Sequence, residues 1–346
     1  LILCDEGSQY ENREWQRFFS SLREQPHKPS TCIVADFQQL QPVNDGGLCQ
    51  QTCELMQSVT LRTVYRSTDE NHLLFINRIR SCQPVDKSIL KHYFGERHWA
   101  HQSLELCVSR GMELGVQRGV PFTWLCTTNS GASQVCEAAL SSLGITSADL
   151  EAGYLCDPAT KSDLRILARP GILLRLSRNF DKQRGFVNGS LAEVCESLHG
   201  NAVFTARLLG TGNMVLIHPM EEDGQRFLPC CYGYATTIRR AQGADLDLGC
   251  IYFDQKMPAG RGYGYVAVSR FKTQAGCYLY GKLRRTDFLP VGPCKDSEVL
   301  ERQYDSLSSD DDEGAGLEYA FLEGEEELVD SMDPQEVRPN VLADFI

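Results

Sequence analysis

Short apolar runs alternate with amphipathic stretches along most of this chain. Four runs are typical of buried strands, because they are brief, rich in β-branched or aromatic residues and followed by polar ones: LILC, TCIVA, FTWLCTTN and GCIYF. Residues 14–22, 71–79 and 133–143 instead place their apolar side chains on one face of a helix. This alternation of strand and helix predicts an α/β fold with a mostly parallel sheet.

Residues 171–229 break that rhythm. They contain four strand-like segments, GILLRLSRNF, GFVNGSLAEVCE, VFTARLLG and NMVLIHPM, separated by turn signals such as VNG and GTG. Closely spaced strands of this kind predict a small β-barrel or meander inserted in the α/β body.

Charge is distributed unevenly along the chain. Its 346 residues have a net charge of −12, yet residues 296–346 alone contain 17 acidic and 2 basic residues. The body is therefore close to neutral, and we expect the acidic tail to be largely disordered. Leu317, Tyr319, Phe321 and Leu322 interrupt the acidic run. This pattern suits docking on a basic surface of a protein partner, although a purely solubilising tail or a mistranslated gene end would also explain it.

The compartment is inferred from cysteines and hydropathy. No apolar run approaches the ~18 residues of a membrane span, and the start lacks a secretory pattern. The 15 cysteines are scattered, as expected for reduced, buried thiols rather than for a disulfide scaffold. We expect an intracellular protein, nuclear or mitochondrial and not secreted, with no membrane partner.

Polar residues follow several of the predicted strands. Asp5 and Glu6 end the first strand, where one carboxylate can hold Mg²⁺ and the second can activate water. Taken alone, they are more typical of a strand that ends in a solvated acidic turn. Gln39 follows the second strand, and an amide in that place can reach a terminal phosphate. Arg66 and the segments 234–247 and 264–272 come later in the chain.

Together these segments resemble motifs II to VI of superfamily 1 DNA helicases, in particular the RecD and Pif branch. DEGSQ resembles the Walker B box, ADFQQLQPV resembles GD-x-x-QL-x-PV, and VYRSTD resembles the arginine motif that follows. ATTIRRAQGADLD is similar to T-I-H-K-S-Q-G-x-T-L-D, and YVAVSR to Y-V-A-L-S-R. WLCTTN and LRLSRNFDKQRGFVNGSLAEV also fit the family, the latter matching an insert that forms a small β-barrel there. The resemblance covers roughly residues 1 to 285.

The resemblance implies a role for each matching residue. Asp5 would coordinate Mg²⁺, and Glu6 would activate the attacking water. Sensors of the γ-phosphate would be Gln9 and Gln39, and the arginine fingers would be Arg66 and Arg270. Gln242 and Gly243 would link the nucleotide site to the DNA. Thr127, Asn129 and Thr237 would contact the DNA backbone.

The chain also departs from the family pattern. Ala35 replaces a glycine, Arg239-Arg240-Ala241 replaces His-Lys-Ser, and REQPHKPSTC lacks the P-F-G-G-I-Q-L stretch of Pif enzymes. No G-x-x-x-x-G-K-[ST] phosphate loop precedes DEGSQ, so we expect an N-terminally truncated chain without Walker A that is inactive by itself. GCYLYGK, from Gly276 to Lys282, has the spacing, but Leu283 follows it and CYLY is typical of a strand.

These observations predict two RecA-like P-loop NTPase motor domains, the first one truncated. The predicted boundaries are 1–115 for the first domain, 116–170 with 230–290 for the second, 171–229 for the barrel and 291–346 for the tail. The predicted function is an ATP-dependent helicase or translocase, with ATP and Mg²⁺ as cofactors and single-stranded or forked DNA as partner. The alternative is a non-catalytic nucleic-acid-binding remnant of a helicase or of a transposon-derived helicase domain.

Overall fold

The computed structural model describes residues 1–27, 29–40, 42, 57–61 and 64–291. The chain divides between Thr63 and Val64 into two units, which we describe separately. The predicted acidic tail, residues 296–346, lies outside the described residues.

The first unit contains a short parallel strand pair and a helix. Strand β1 (Ile2–Cys4) pairs in parallel with β2 (Thr31–Ile33), with Leu3 opposite Cys32. Helix α1 (Asn12–Glu24) begins at a capping box. The side chain of Glu11 accepts the backbone N–H of Glu14, and the side chain of Glu14 accepts the backbone N–H of Glu11. Its Trp15 is 5% exposed and donates its indole N–H to the carbonyl of Gly7 at 3.2 Å. The predicted strands and helix of this region are confirmed.

A five-stranded parallel sheet forms the centre of the second unit. Its strands are β3 (His98–Trp99), β4 (Thr123–Cys126), β14 (Ala235–Thr237), β15 (Gly249–Tyr252) and β16 (Cys277–Tyr280). Their order across the sheet is β14-β4-β15-β16-β3, and all pairs are parallel. Every residue of β4 is buried, so the strand lacks the alternation of a half-exposed strand.

Helices cover this sheet. They are α2 (Glu70–Arg80), α3 (Lys87–Phe94), α4 (Leu104–Arg118), α5 (Asn129–Ser142), α6 (Ser147–Glu151) and α7 (Tyr263–Ser269). Side-chain caps start several of them: Asp69 accepts from the His72 N–H, and Thr128 from the Gly131 N–H. Among the described helices, none combines the length and apolar character that crossing a lipid bilayer requires. The mixed α/β fold with a parallel sheet is as predicted.

Nine further strands lie within residues 154–232. They are β5 (Tyr154–Leu155), β6 (Arg165–Ile166), β7 (Leu173–Leu176), β8 (Leu191–His199), β9 (Val203–Leu208), β10 (Met214–Ile217), β11 (Met220–Glu222), β12 (Gln225–Phe227) and β13 (Cys230–Tyr232). Five of them form an antiparallel sheet in the order β10-β9-β8-β7-β13. Two register shifts, after Val194 and after Ser197, interrupt the pairing of β8 with β9. Antiparallel strands are thus present where a barrel was predicted, and closure of the barrel stays a prediction.

The two units divide at a different point from the predicted domains. The predicted domain boundary lies at residue 115, whereas the two units of the structure divide between residues 63 and 64. Residues 64–115 lie with the second unit because β3 pairs with β16, with His98 opposite Leu279. His72 also contacts the carbonyl of Phe271, which follows α7.

Candidate nucleic-acid and nucleotide sites

Predicted carboxylates of the first unit stand directly after β1. Glu6 is in the left-handed region, with φ of 53°, which is uncommon for a residue other than glycine. Its N–H donates to Asp5 Oδ1 at 2.9 Å, and its own Oε2 accepts from Gln9 Nε2 at 3.0 Å. Asp5 is exposed and Glu6 half-buried. The three residues assigned to metal, water and γ-phosphate therefore form one hydrogen-bonded turn.

A second strand end lies against this turn. The Gly7 N–H donates to the carbonyl of Val34 at 2.8 Å, and Ser8 Oγ donates to that of Asp36 at 3.1 Å. Gln39 donates from its side-chain amide to Asp36 Oδ2 at 3.4 Å. Because β1 and β2 are parallel, both loops leave the carboxyl edge of the pair, the usual position of ligands in such sheets. The structure thus brings Gln39 to the same edge as Asp5.

In the second unit, three predicted motif segments converge on Arg66. Its Nε forms an ion pair with Asp245, and its Nη1 donates to the carbonyl of Ser269 at 3.1 Å. Asp245 belongs to the ATTIRRAQGADLD segment and Ser269 to YVAVSR. These segments are also joined by backbone hydrogen bonds, since the Leu246 N–H donates to the Arg270 carbonyl at 2.9 Å.

Arg270, the second predicted arginine finger, is 2% exposed. Its Nε donates to the carbonyl of Val266 at 3.1 Å, and its Nη2 donates to Ser269 Oγ at 2.9 Å. Both acceptors belong to α7, so in this conformation the guanidinium folds back on its own helix.

A cleft of about 570 Å³ lies within the second unit, lined by α5, β7, β13, β14 and their adjoining loops. Four predicted residues line it: Asn129, Thr237, Gln242 and Gly243. It carries three basic side chains, Lys161, Arg175 and Arg240, and no aspartate or glutamate is among the described residues that line it. Because these charges are positive, the cleft attracts anions and repels cations.

The guanidinium groups of Arg175 and Arg240 donate to backbone carbonyls and not to carboxylates. Arg175 Nη1 donates to the Gly189 carbonyl at 3.0 Å, and Arg240 Nη1 donates to that of Thr160 at 2.6 Å. Burial lowers the pKa of Arg175. The buried Nε of Arg175 has no acceptor among the described residues. Among the described residues neither arginine pairs with a carboxylate, so both leave positive charge in the cleft.

Thr127, the remaining predicted DNA contact, is not among the described residues that line this cleft. Its N–H donates to Asp254 Oδ1 at 2.7 Å, as does that of Thr128 at 3.1 Å. Thr128 Oγ1 donates to the other oxygen of Asp254. Gly131 must be a glycine here, since a Cβ would lie 2.3 Å from that carboxylate. Asp254 thus fixes the turn from β4 into α5.

Sequence reasoning missed Arg175, Lys161 and Asp254. Arg175 is a charged residue within the apolar run LLRL of β7, an interruption that could have marked it as functional. Nothing near Lys161 or Asp254 in the sequence sets them apart. The rejected GCYLYGK segment is a strand, β16, with Cys277 to Leu279 buried, so it is no phosphate loop. Among the described residues no group of three or more His, Cys, Asp or Glu could hold a metal ion.

Comparison with known proteins finds similarity to solved structures. No protein-family model and no curated protein sequence matches the chain. A crystal structure of the Pif1 helicase from Bacteroides with ADP-AlF3 and single-stranded DNA is similar at a TM-score of 0.62 and 18% identity, over 90% of this chain and 76% of that one. The Pif1 helicase from Candida albicans is similar at 0.59 and 18%, over 89% and 76%. The chain therefore has the fold of Pif1 helicases, and the predicted resemblance to the RecD and Pif branch is confirmed at the level of fold.

Proposed function

We propose that this chain is a DNA-binding part of an ATP-dependent helicase or translocase that acts on single-stranded DNA. The observation that carries the proposal is the cleft of the second unit, with three basic and no acidic side chains among its described lining residues. A strand of DNA presents a row of phosphates, and basic grooves that follow the backbone are the usual means of binding it.

The polar lining fits contacts with a sugar–phosphate backbone. Asn129 lies at the first turn of α5, whose N-terminal N–H groups favour negative charge. Thr237 ends β14, and Gly243 has φ of 81°, which lets its backbone approach a ligand closely. Contacts with the sugar–phosphate backbone carry no sequence information, so we expect binding with little sequence preference.

The nucleotide part of the proposal concerns the motif residues. In the roles that the resemblance implies, Asp5 would hold Mg²⁺ and Glu6 would position water beside Gln9 and Gln39. Arg66 and Arg270 would neutralise charge on the phosphoryl group in transfer. ATP and magnesium are the proposed cofactors, and the Bacteroides Pif1 complex with ADP-AlF3 supports the nucleotide.

A salt series with a charge variant tests DNA binding. Lys161 is exposed, lines the cleft and has φ of 53°, a conformation that asparagine tolerates. We expect Lys161→Asn to weaken binding of a fluorescent oligonucleotide several-fold at low salt, and to reduce the slope of log K against log salt by about 0.7. Fluorescence anisotropy measures both quantities.

Lys182→Asn is the matched control, since Lys182 is an exposed lysine outside the described lining of the cleft. Equal losses in the two variants would mean that the cleft is not the binding site. DNA binding without any ATP turnover in a variant of the chain to which a Walker A phosphate loop has been joined would favour the non-catalytic remnant.

A further inference from the structure

A half-exposed phenylalanine lies at the rim of the cleft. Phe180 belongs to the loop of residues 177–190 that joins β7 to β8, and both ends of this loop line the cleft, Ser177 at one end and Asn188 to Ser190 at the other. Phe180 itself is 50% exposed. A single exposed aromatic residue means little by itself, so its position and its support decide what it can do.

The base of the loop keeps Phe180 close to the cleft. Phe180 is three residues from Ser177, so at no more than about 3.6 Å per residue their Cα atoms lie within about 11 Å of each other. The Asn188 N–H donates to Asn179 Oδ1 at 2.9 Å and joins the two sides of the loop at this level. The turn at residues 182–185 follows Phe180 and forms the far end of the loop. Phe180, rather than the turn, therefore borders a strand bound in the cleft.

Contacts within the loop hold the Phe180 ring in place. The Phe180 N–H donates to the Phe186 carbonyl at 3.0 Å, and the Phe186 N–H donates to the Asp181 carbonyl at 2.8 Å. Phe186 is 6% exposed and meets Phe180 edge to face, with ring centroids 4.9 Å apart and ring planes at 86°. A ring that is already fixed loses little conformational entropy when a ligand packs against it.

The surroundings of this ring suit a nucleic-acid base. Every base has a π-face, so bases stack on aromatic side chains with little dependence on sequence. The neighbouring carboxylate of Asp181 pairs with Arg184 at 3.5 Å, which reduces its repulsion of phosphates. A single strand held by its phosphates in the cleft has unpaired bases, and an apolar ring at the rim can cover one of them.

We propose that Phe180 is a base-stacking residue, which packs its ring on one base of a single-stranded DNA whose phosphates lie in the cleft. This inference rests on the proposed function and adds to it, because the contacts proposed there concern the DNA backbone. Bases of a duplex are already stacked on each other and cost free energy to unstack. The contact with Phe180 therefore favours single-stranded over double-stranded DNA.

Phe180→Leu tests the contact, since leucine keeps an apolar side chain beside Phe186 and removes the aromatic ring. We expect it to weaken binding of a fluorescent single-stranded oligonucleotide by about fivefold or more, as loss of a stacked aromatic residue does. An abasic oligonucleotide of the same length has the phosphates without the bases, and the variant should bind it as tightly as the unmodified chain does. The slope of log K against log salt should not change, because no charge is lost. Fluorescence anisotropy measures all three quantities.

Two control variants accompany this test. Phe180→Tyr keeps an aromatic ring and should keep the affinity for the oligonucleotide. Leu216→Ala removes a different apolar side chain, which is 52% exposed on β10 and outside the described lining of the cleft. It should leave the affinity for both oligonucleotides unchanged.

The outcomes separate this inference from the proposed function. Failure of the unmodified chain to bind either oligonucleotide would contradict the proposed function. If the unmodified chain binds, unchanged affinity of Phe180→Leu, or an equal loss of affinity for the abasic oligonucleotide, would overturn the role of Phe180 and leave DNA binding in place.

Discussion

The two units hold their predicted functional residues in different ways. In the first unit, Gln9 bonds to Glu6 only three positions away, and Asp5 bonds to the next residue. In the second unit, Arg66 bonds to residues 179 and 203 positions away. The first arrangement is a local turn, whereas the second exists only after distant parts of the chain have come together.

This difference has a consequence for stability. Local turns on an exposed edge contribute little to the free energy of unfolding, so their residues can be changed without loss of the fold. Networks that join distant segments through buried groups contribute much more, because removal of one partner leaves the other buried and unpaired. Substitutions should therefore separate the two units by their effect on stability.

The largest effect is expected at Asp157, in the loop that carries Lys161. Asp157 is fully buried and accepts from Arg178 Nε at 2.6 Å and from Ser177 Oγ at 2.6 Å. Asp157→Ala leaves Ser177 Oγ and the Ala159 N–H without their buried acceptor, whereas Arg178 is 30% exposed and keeps its pair with Glu222. We therefore expect the free energy of unfolding to fall by about 1–3 kcal/mol. Urea unfolding measures this loss.

The control uses the same arginine. Arg178 also pairs with Glu222, whose side chain is 54% exposed, at 2.8 Å. Glu222→Ala should cost less than about 1 kcal/mol. Similar losses in both variants would mean that burial does not set the strength of this network.

A smaller effect is expected in the dependence of stability on pH. Burial raises the pKa of Asp157, but hydrogen bonds from Arg178, Ser177 and the Ala159 N–H outweigh it, and the pKa is lowered overall. A lowered pKa in the folded state gives a contribution that is present above the ordinary value of about 3.9 and is lost as pH falls through the folded pKa. The stability difference between the unmodified chain and Asp157→Asn should therefore shrink toward low pH.

Asp287 should give the opposite dependence of stability on pH. Burial raises its pKa despite hydrogen bonds from the Ala259 N–H and Arg284. Its contribution is fully present below the ordinary pKa and is lost as pH rises through the folded pKa, so the difference from Asp287→Asn should grow toward low pH. Urea unfolding at several values between about pH 2.5 and 6 compares the two. Parallel pH profiles for the two variants would contradict these assignments.

The smallest effect on stability is expected in the first unit. Glu6→Gln keeps the size of the side chain and an oxygen that can accept from Gln9, so the free energy of unfolding should change by less than about 0.5 kcal/mol. In a version of the chain to which a Walker A phosphate loop has been joined, the same variant should bind ATP and lose turnover, because an amide cannot take a proton from water. Glu24→Gln, an exposed change at the end of α1, should alter neither.

Sequence patterns predicted what depends on neighbours in the chain. β1, β2, β4 and β15 were recognised from apolar runs, and Asp5 and Glu6 were placed at a strand end because a strand and its end are adjacent in sequence. The pairing of β3 with β16 could not be predicted in this way, which is why the predicted boundary at 115 and the division at 63 differ. The charge of Arg175 within the apolar run LLRL is visible in the sequence, but its contacts in the cleft are not, since its partners Gly189 and Gly233 come from separate turns.

The position of β3 at the edge of the parallel sheet also bears on how the protein is made. Its described sheet partner is β16, so His98 must wait for Leu279 to leave the ribosome before the two can pair. At about 5–20 residues per second, that wait lasts roughly 10 to 35 seconds. Trp99 is 2% exposed in the folded chain, where it stacks on Phe122 and packs against the tilted ring of Tyr278. During this time it lacks its contact with Tyr278. Trp99 should therefore be more exposed in newly made chains until β16 is synthesised.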